Sequence, residues 1–474
     1  MHPRTLVIAG GGFAGTTLAQ RLMHRLPSGW QLVLLSEEST TTFNPMLAEV
    51  VGAAVFPEHV IVPIRALLHG APPSVRFVMG RLMRVDVRAQ RLVCDTLAGP
   101  REIAYDHLVL AIGQRANLAL LPGLAEHALP LKLVGDAMHI RNRVLQRLAH
   151  IELTQNADDR RALGRFVVIG GGFSGVEVAG SLADFLRSAR RYYRRIGDGE
   201  LGVTLLHDGE RLLPELPARL GDAAAHSLRQ RGVDVRLSAR AAAVSADAVR
   251  LVDGARIASR TVICTIGTQA QPLIEQLGLP TTRGRLATAP DGVVRGAPGL
   301  WAIGDCAAVP NAADGDRASP PTAQFAVAQA DLLARNLLAH LAGRPTRPFS
   351  HRSKGMMATV GHLKGVALAF GLPLSGLPAW LLWRAYYLMR MPTLGRKLRI
   401  WVEWTWGLVF PLDITHLRFT RTGEAAGVAA PHLAEPSHHH PLQPARPQPL
   451  AAVLHALPDA SRHASRGASP DASP

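Results

Sequence analysis

Cysteine, acidic residues and long apolar runs are all scarce in this sequence of 474 residues. The three cysteines, Cys94, Cys264 and Cys306, are too few and too scattered for the disulfide scaffold of a small secreted protein. Hydrophobic residues make up 47% of the chain, yet no apolar stretch approaches the roughly 20 residues that span a bilayer. The composition therefore favours large buried cores over a disulfide-stapled domain or a bundle of membrane-spanning helices.

Acidic residues number 36 against 52 lysines and arginines, which gives a formal net charge of +16. Such an excess suits anionic cofactors, anionic lipid and nucleic acid equally well. No nucleic-acid recognition motif is present, so we expect no nucleic-acid partner. The first strand is expected directly after the start of the chain, so we expect no signal peptide and a cytoplasmic location.

Two glycine-rich turns of one design occur in the sequence, GGGFAG at 10–15 and GGGFSG at 170–175. Each follows a short apolar run that is typical of a buried parallel strand, and each precedes a helix-like stretch. In such a unit the first glycine permits a tight turn, the second lets the backbone approach a pyrophosphate, and the third lets the helix pack closely on the strand. We therefore predict that the chain binds two dinucleotides.

The strands that follow the two glycine units end differently. The run at 31–35 ends at an acidic pair, of which we choose Glu37 to hold a ribose hydroxyl; a solvated strand end is the alternative. The run at 203–206 ends at His207 instead of an acid. Asp208 could take the place of the missing acid, whereas a histidine with Arg211 nearby would tolerate the extra phosphate of NADPH. We therefore expect NADH to be preferred and NADPH to be oxidised measurably.

Three further segments carry a family resemblance. Apolar strands end at Gly113 and Gly267, and a third strand delivers Asp305 to a loop within an Ala-Ile-Gly-Asp segment. Together with the glycine turns, these segments resemble the two-dinucleotide-binding flavoproteins of the pyridine nucleotide oxidoreductase superfamily. Within that superfamily, PTAQFA at 321–326, Lys354-Gly355 and a Trp-rich carboxy-terminal segment are similar to type II NADH:quinone oxidoreductases.

The resemblance implies FAD at the first glycine turn and NADH, or NADPH, at the second. The resemblance implies six residues for FAD: Gly10, Gly12, Gly15, Glu37, Gly304 and Asp305. We add Gly113, at the end of a predicted strand, and Ala323, at the start of a predicted helix. The residues implied on the nicotinamide side, with the strand-end histidine, are Gly170, Gly172, Gly175, Glu177, His207 and Gly267. A helix that opens after Thr322 would also direct free backbone amides at a reduced flavin. We predict no metal site.

The route by which electrons leave the flavin is narrowed by the scarcity of thiols. Disulfide reductases and sulfide:quinone enzymes of the superfamily use paired cysteines, and no cysteine precedes Cys94. A membrane quinone is therefore the expected acceptor. The resemblance places Gln324 beside the quinone pocket, with Lys354 as a weaker catalytic candidate that is otherwise a surface lysine. Glu177 would relay protons to the acceptor, or would only complement the dipole of its helix.

The segment between residues 377 and 410 contains five of the seven tryptophans. Pro392 and Gly395 are expected to split it into two helices, each too short to span a bilayer. The second helix has one apolar stripe: Leu398, Trp401, Val402, Thr405, Leu408 and Val409. Five basic residues would meet anionic headgroups: Arg384, Arg390, Arg396, Lys397 and Arg399. We predict an in-plane anchor on the cytoplasmic side of the cell membrane; a cover for the protein's own core or a dimer contact is the alternative.

The predicted fold is α/β, with two Rossmann-like dinucleotide-binding domains and a C-terminal amphipathic helical membrane-anchor segment. The predicted limits are an FAD domain in two parts, an NAD(P)H domain between them, a membrane-associated region and a disordered tail: 1–133, 134–295, 296–345, 346–421 and 422–474. The predicted activity is that of a non-pumping FAD-dependent NAD(P)H:quinone oxidoreductase. A soluble reductase for ferredoxin or another carrier, and an NADH-responsive sensor, are the alternatives; a homodimer stays open.

Overall fold

A seven-stranded sheet, here called the first sheet, holds the first glycine turn in the computed structural model, which describes residues 3–417. In spatial order its strands are Leu300–Ala302, His107–Leu110, Arg4–Ala9, Trp30–Ser36, Val75–Asp86, Arg91–Thr96 and Gly99–Ala104. The first five strands are parallel and the last two continue as an antiparallel meander. The predicted tail at 422–474 lies outside the described residues.

A five-stranded sheet, the second sheet, holds the second glycine turn and is parallel throughout. Its strands in spatial order are Ala128–Pro130, Thr261–Cys264, Arg165–Ile169, Gly202–Leu206 and Asp234–Arg236. The antiparallel pair Gln114–Ala116 and Thr268–Ala270 carries the chain from the first sheet to the second and back. The two glycine units therefore belong to two separate sheets, as the internal repeat predicts.

Smaller sheets of two or three strands surround these two. Their strands are Ala241–Val244 with Ala248–Leu251 and Arg256–Ala258, Thr281–Thr282 with Arg285–Ala287 and Ala307–Ala308, Pro310–Asn311 with Arg317–Ala318, Thr40–Thr42 with Ile61–Pro63, and Gly355–Thr359 with Gly365–Ala369 and Leu372–Gly376. The last of these, Gly355–Gly376, packs against the helix Leu377–Arg390 and is called the carboxy-terminal sheet below.

The α-helices of the described chain are α1 (Phe13–Leu22), α2 (Leu47–Val51), α3 (Ile64–Leu67), α4 (Leu124–His127), α5 (Val134–Leu153), α6 (Ala157–Gly164), α7 (Phe173–Arg190), α8 (Ala218–Gln230), α9 (Pro272–Gln276), α10 (Ala323–Leu341), α11 (Leu377–Arg390) and α12 (Leu394–Trp406). Helices α1 and α7 begin at Phe13 and Phe173, within the two glycine motifs, so the third glycine of each motif already lies in the helix. The central strands before those turns are buried on both faces, which is why they are continuous apolar runs in the sequence.

The chain passes from the first sheet to the second before residue 133 and returns before residue 295, the two predicted limits of the NAD(P)H domain. The strand Ala128–Pro130 already belongs to the second sheet. On the return, Ile274 packs in one core with Val7 and Leu300 of the first sheet. The crossing strands are only three residues long and mostly polar, so the sequence carries no change of composition that marks them.

Pro392 separates α11 from α12, as predicted, but the predicted break at Gly395 is wrong. The side chain of Thr393 accepts a hydrogen bond from the backbone N–H of Arg396 and caps α12, so Gly395 lies within the first turn of the helix. No helix within residues 3–417 combines the length and the apolar character needed to cross a membrane.

The third glycine of each turn is fixed by packing. An ideal Cβ on Gly175 would lie 1.7 Å from the carbonyl oxygen of Gly170, and one on Gly15 would lie 1.9 Å from that of Gly10. At Gly172, by contrast, an added Cβ meets nothing within 4 Å. The third position is therefore required for the fold, whereas the middle position is open towards a ligand.

Gly175→Ala is expected to destabilise the protein by about 1–3 kcal/mol, because the new methyl group meets a backbone oxygen that has no rotamer to change. Urea unfolding followed by circular dichroism measures the loss. The matched control is Gly172→Ala, which should keep the wild-type midpoint and weaken only nucleotide binding. Equal midpoints for both variants would contradict the packing role.

Candidate active site

Two cavities meet at the side chain of Glu177. The larger, about 1370 Å³, extends from the start of α1 past the start of α10 and the carboxy-terminal sheet to α11. The smaller, about 190 Å³, lies between the start of α7 and the loop that ends at Thr268. Glu177, Ser174 and Asn44 line both cavities, so groups bound in the two spaces would meet near this carboxylate.

Two hydrogen bonds from outside α7 hold the side chain of Glu177 in place. The oxygen Oε1 of Glu177 accepts hydrogen bonds from the backbone N–H of Thr359 and from the indole Nε1 of Trp383, both at 3.1 Å. One turn further on, a Cβ added to Gly180 would lie 2.6 Å from the backbone nitrogen of Gly361. Glycine at this position therefore allows the carboxy-terminal sheet to approach α7 closely enough for Thr359 to reach the carboxylate.

Burial raises the pKa of Glu177 to about 8. The hydrogen bond from Thr359 opposes this shift, the negative charge of Glu49 adds to it, and the hydrogen bond from Trp383 also opposes it. The carboxyl is therefore protonated at neutral pH, where it is able to donate a proton. Glu177 is the fifth residue of α7, beyond the positions that usually complement a helix dipole.

The start of α10 faces the larger cavity together with two of the predicted catalytic residues. Ala323 is the first residue of the helix and lines the cavity, and the side chain of Thr322 accepts a hydrogen bond from the backbone N–H of Phe325. Gln324 lines the cavity and accepts a hydrogen bond from Ser353 Oγ at 3.0 Å. Lys354 is exposed at the cavity wall.

The first glycine turn lies against Gly304, since a Cβ added there would lie 3.2 Å from that of Ala14. The backbone N–H of Gly304 donates to the buried side chain of Gln329 at 2.8 Å. Gln329 therefore supports the turn that carries Asp305 and is not a residue of the cavity wall. Burial raises the pKa of Asp305, and the positive charges of Lys132 and Arg285 oppose the shift.

The second glycine turn lies against His207. The ring nitrogen Nδ1 of His207 is 3.3 Å from the backbone nitrogen of Gly171, in a position to accept its N–H. Asp208 is 3.4 Å from the same ring nitrogen and remains exposed. Gly267 lines the smaller cavity. The preference for NADH over NADPH at this strand end stays a prediction.

Among the predicted cofactor residues, Glu177, Ala323 and Gly267 line a cavity, and the other eleven lie outside both walls: Gly10, Gly12, Gly15, Glu37, Gly113, Gly170, Gly172, Gly175, His207, Gly304 and Asp305. Glu37 is exposed directly after the strand Trp30–Ser36, and Gly113 precedes the crossing strand Gln114–Ala116. Their assignment to FAD stays a prediction. The structure brings Glu177, Ala323, Gln324 and Lys354 together around the larger cavity.

Each of the two glycine turns has surroundings that fit one dinucleotide. Helices α1 and α7 begin at Phe13 and Phe173 without a side-chain cap, so the amides of their first turns are free to bind a pyrophosphate. Added Cβ atoms at Gly12 and Gly172 would meet nothing within 4 Å. FAD at the first turn and NADH at the second agree with these two observations.

The sequence prediction for Trp-rich helices α11 and α12 was wrong for part of their surface. Trp380, Trp383 and Trp404 are buried, and they contribute to the core instead of a lipid boundary. Arg384 lies over the rings of Trp380 and Trp404, at 3.8 and 4.6 Å from their centroids, and cannot meet a headgroup from there. The predicted stripe from Leu398 to Val409 is exposed, as expected for an anchor.

The sequence patterns did not indicate Glu49, although its position carries a signal. It is an acidic residue inside an otherwise apolar helix, and all five residues of α2 are buried. Its Oε2 accepts a hydrogen bond from Trp404 Nε1 at 2.5 Å. An ionisable group in a fully buried helix needs a partner, and that partner comes from the far end of the described chain.

The cysteines are all free and buried. Burial raises the pKa of Cys306 to about 11 and also raises the pKa of Cys264. Both thiols therefore hold their protons at neutral pH and lack the reactivity of a redox thiolate. Both cysteines pack as small apolar residues.

Comparisons with known proteins agree with this geometry. The family model for pyridine nucleotide-disulphide oxidoreductases matches residues 4–330. The type II NADH:quinone oxidoreductase Ndh of Mycobacterium tuberculosis is 29% identical over 413 residues, which cover 84% of this chain and 87% of that protein. The demethylphylloquinone reductase NdbB of Synechocystis is 32% identical over 416 residues, which cover 85% of this chain and 96% of that protein.

A solved structure has the same fold. NDH2 from Plasmodium falciparum in complex with NADH matches with a TM-score of 0.80 at 17% identity and covers 87% of this chain and 99% of that one. The two glycine turns and the two cavities that meet at one carboxylate agree with the family match and with these relatives. The chain belongs to the pyridine nucleotide-disulphide oxidoreductase family, among the type II NADH:quinone oxidoreductases.

Proposed function

We propose that this chain is an FAD-dependent NADH:quinone oxidoreductase that works at a membrane surface. The observation that carries the proposal is the position of Glu177, where a cavity beside the second glycine turn meets a larger one that reaches α11. The named activities of the relatives from Mycobacterium tuberculosis and Synechocystis support the same reaction. Bound FAD would supply the chemistry of taking two electrons from NADH and passing them to a quinone.

The larger cavity provides the path by which a quinone would enter. Its wall continues from Gln324 at the start of α10 to Tyr386 and Arg390 of α11 and to Phe370 of the carboxy-terminal sheet. Phe370 is 85% exposed, so the wall ends at an apolar surface. A hydrophobic acceptor would leave the lipid there without crossing water.

The residues around the cavities have separate tasks in this proposal. The amide-rich start of α10 at Ala323 would stabilise negative charge on the reduced cofactor. Gln324 would orient the quinone headgroup by hydrogen bonding, with Lys354 beside it at the cavity wall. Glu177, protonated at neutral pH, would donate a proton to the reduced quinone.

We infer that the exposed apolar surface of α11, α12 and the residues after them lies in the membrane interface. It comprises Leu381, Met389, Leu394, Leu398, Trp401, Val402, Trp406, Leu408, Val409 and Phe410. Arg390 and Arg399 are exposed on the same two helices, and Glu403 is the one acidic residue between 377 and 410. This combination favours the anionic surface of the cytoplasmic leaflet.

Anaerobic addition of NADH to the purified yellow protein should bleach its flavin absorbance, and a short-chain quinone should then restore it. A ferredoxin added in place of the quinone should not. Restoration by the carrier protein alone would favour the soluble reductase, and a reduced complex that persists with both acceptors would favour a sensor. A colourless protein that takes up no FAD would contradict all three functions.

The wild-type turnover number should fall as the pH rises through about 8, because Glu177 is protonated below its raised pKa and ionised above it. Glu177→Gln cannot donate a proton, so it should lower turnover at pH 7 by about a hundredfold and remove this pH dependence. FAD content should stay unchanged. The control is Glu215→Gln, which alters another carboxylate of the larger cavity wall and should keep the wild-type profile.

Sedimentation with vesicles of anionic phospholipid tests the anchor. Leu398→Glu with Trp401→Glu should abolish co-sedimentation, because both side chains are exposed on α12 and contribute to the apolar surface. Deletion of 377–410 is a poor test, since it removes buried Trp383 and Trp404 as well. Leu97→Glu with Leu153→Glu, at exposed positions elsewhere, is the matched control. Equal sedimentation of the two double variants would refute membrane binding through α12.

A further inference from the structure

We propose that Glu49 is the proton donor that reprotonates Glu177, and that Glu49 is supplied in turn by the Glu403–His59 pair at the protein surface. The inference rests on the proposed function, in which one NADH, one quinone and one proton from solvent give one NAD⁺ and one quinol. Two electrons and one hydrogen come from the nucleotide, so the second hydrogen of the quinol must come from water as a proton.

The need for such a route follows from where Glu177 lies. Its side chain lines both cavities, and these are the spaces that cofactor, nucleotide and quinone would fill. Once they are filled, solvent no longer reaches the carboxyl from the cavity side. Both of its hydrogen bonds go to Oε1, which leaves Oε2 to carry the proton. A reloading path must therefore arrive through the protein behind α7.

Glu49 is the carboxyl that lies behind it. Helix α2 packs against α7, and the indoles that donate to the two carboxyls, Trp383 and Trp404, have ring centroids 6.1 Å apart. The charge of Glu49 also raises the pKa of Glu177. Burial also raises the pKa of Glu49. Two coupled carboxyls in a low-dielectric site resist holding two negative charges at once. A proton lost from Glu177 is therefore readily replaced from its neighbour.

The charges that face Glu49 allow it to release that proton. Arg384 of α11, held over Trp404, attracts the carboxylate, and the Trp404 indole donates to it. Burial and the charge of Glu403 of α12 oppose ionisation. The guanidinium of Arg384 and the indole of Trp404 therefore favour the ionised form of Glu49 against its burial.

The path reaches the surface through Glu403 and His59. Glu403 precedes Trp404 on α12, and its Oε2 lies 2.8 Å from Nδ1 of His59. The side chains of His59 and Glu403 are 19% and 12% exposed, whereas the two atoms that face each other, Nδ1 and Oε2, are buried. A histidine ring has two nitrogens, so it can take up a proton at one of them and release a proton from the other.

The test is Glu49→Gln in the FAD-loaded protein, because an amide oxygen still accepts from Trp404 and the volume is unchanged. Proton uptake during a single turnover with NADH and a short-chain quinone is followed with a pH-indicator dye. We expect uptake to slow about tenfold while flavin reduction by NADH keeps its rate. The pH limit of turnover should also move to lower pH, since the charge that raises the pKa of Glu177 is gone.

A readout that does not depend on turnover is the infrared band of a protonated carboxyl. The resting wild-type protein at neutral pH should show a buried carboxylic acid band that Glu49→Gln weakens. Glu126→Gln, at an exposed acid of α4, is the control and should change neither band nor proton uptake. If Glu49→Gln does not fold, Trp404→Phe provides the test, because loss of the indole donor should still shift the pH limit downwards.

Unchanged proton uptake and an unchanged pH limit in Glu49→Gln would overturn the inference and leave Glu49 as a structural partner of Trp404. Equal losses of stability and activity with the wild-type pH limit would do the same. Failure of the wild-type protein to reduce quinone with NADH is a different result, which would reject the proposed function itself.

Discussion

Two indole N–H groups bind two buried carboxyls, and this pairing connects the carboxy-terminal helices to the rest of the molecule. Trp383 of α11 donates to Glu177, and Trp404 of α12 donates to Glu49. Without these donors each carboxyl would lie in the interior with less compensation, at a cost of about 1–3 kcal/mol for each unsatisfied group. The same bonds that satisfy the interior also fix the helices whose outer face is apolar. The interior chemistry and the position of that surface are therefore set together.

Close backbone approaches complete the frame on which these bonds depend. The third glycine of each turn lets its helix sit directly on the preceding strand, as the oxygen of Gly170 against Gly175 illustrates. Gly180 lets the carboxy-terminal sheet reach α7, and Asp184 one turn later accepts the backbone N–H of His362. Glu177, Gly180 and Asp184 lie on one face of α7. Contacts on that face position Thr359, whose backbone N–H then holds the carboxyl of Glu177 between the two cavities.

The features that were predictable from the sequence have local causes. Strand, glycine turn and helix follow one another within about twenty residues, so the repeat at Gly10 and Gly170 carried most of the α/β architecture. The features that were missed depend on distant contacts. Glu49 and Trp404 are separated by 355 positions, and no local pattern links them. Composition also does not distinguish a buried indole or guanidinium from an exposed one on the same short helix. For this reason Trp404 and Arg384 were assigned to the membrane surface.

The burial of all three thiols has a practical consequence for this molecule. Cys94, Cys264 and Cys306 are the complete set in the sequence, and each is enclosed in a core. Alkylating dyes should therefore leave the native protein largely unlabelled. A single cysteine introduced on the exposed stripe of α12 would then carry a spin label or fluorophore alone, and its depth in a lipid bilayer would be open to direct spectroscopic measurement.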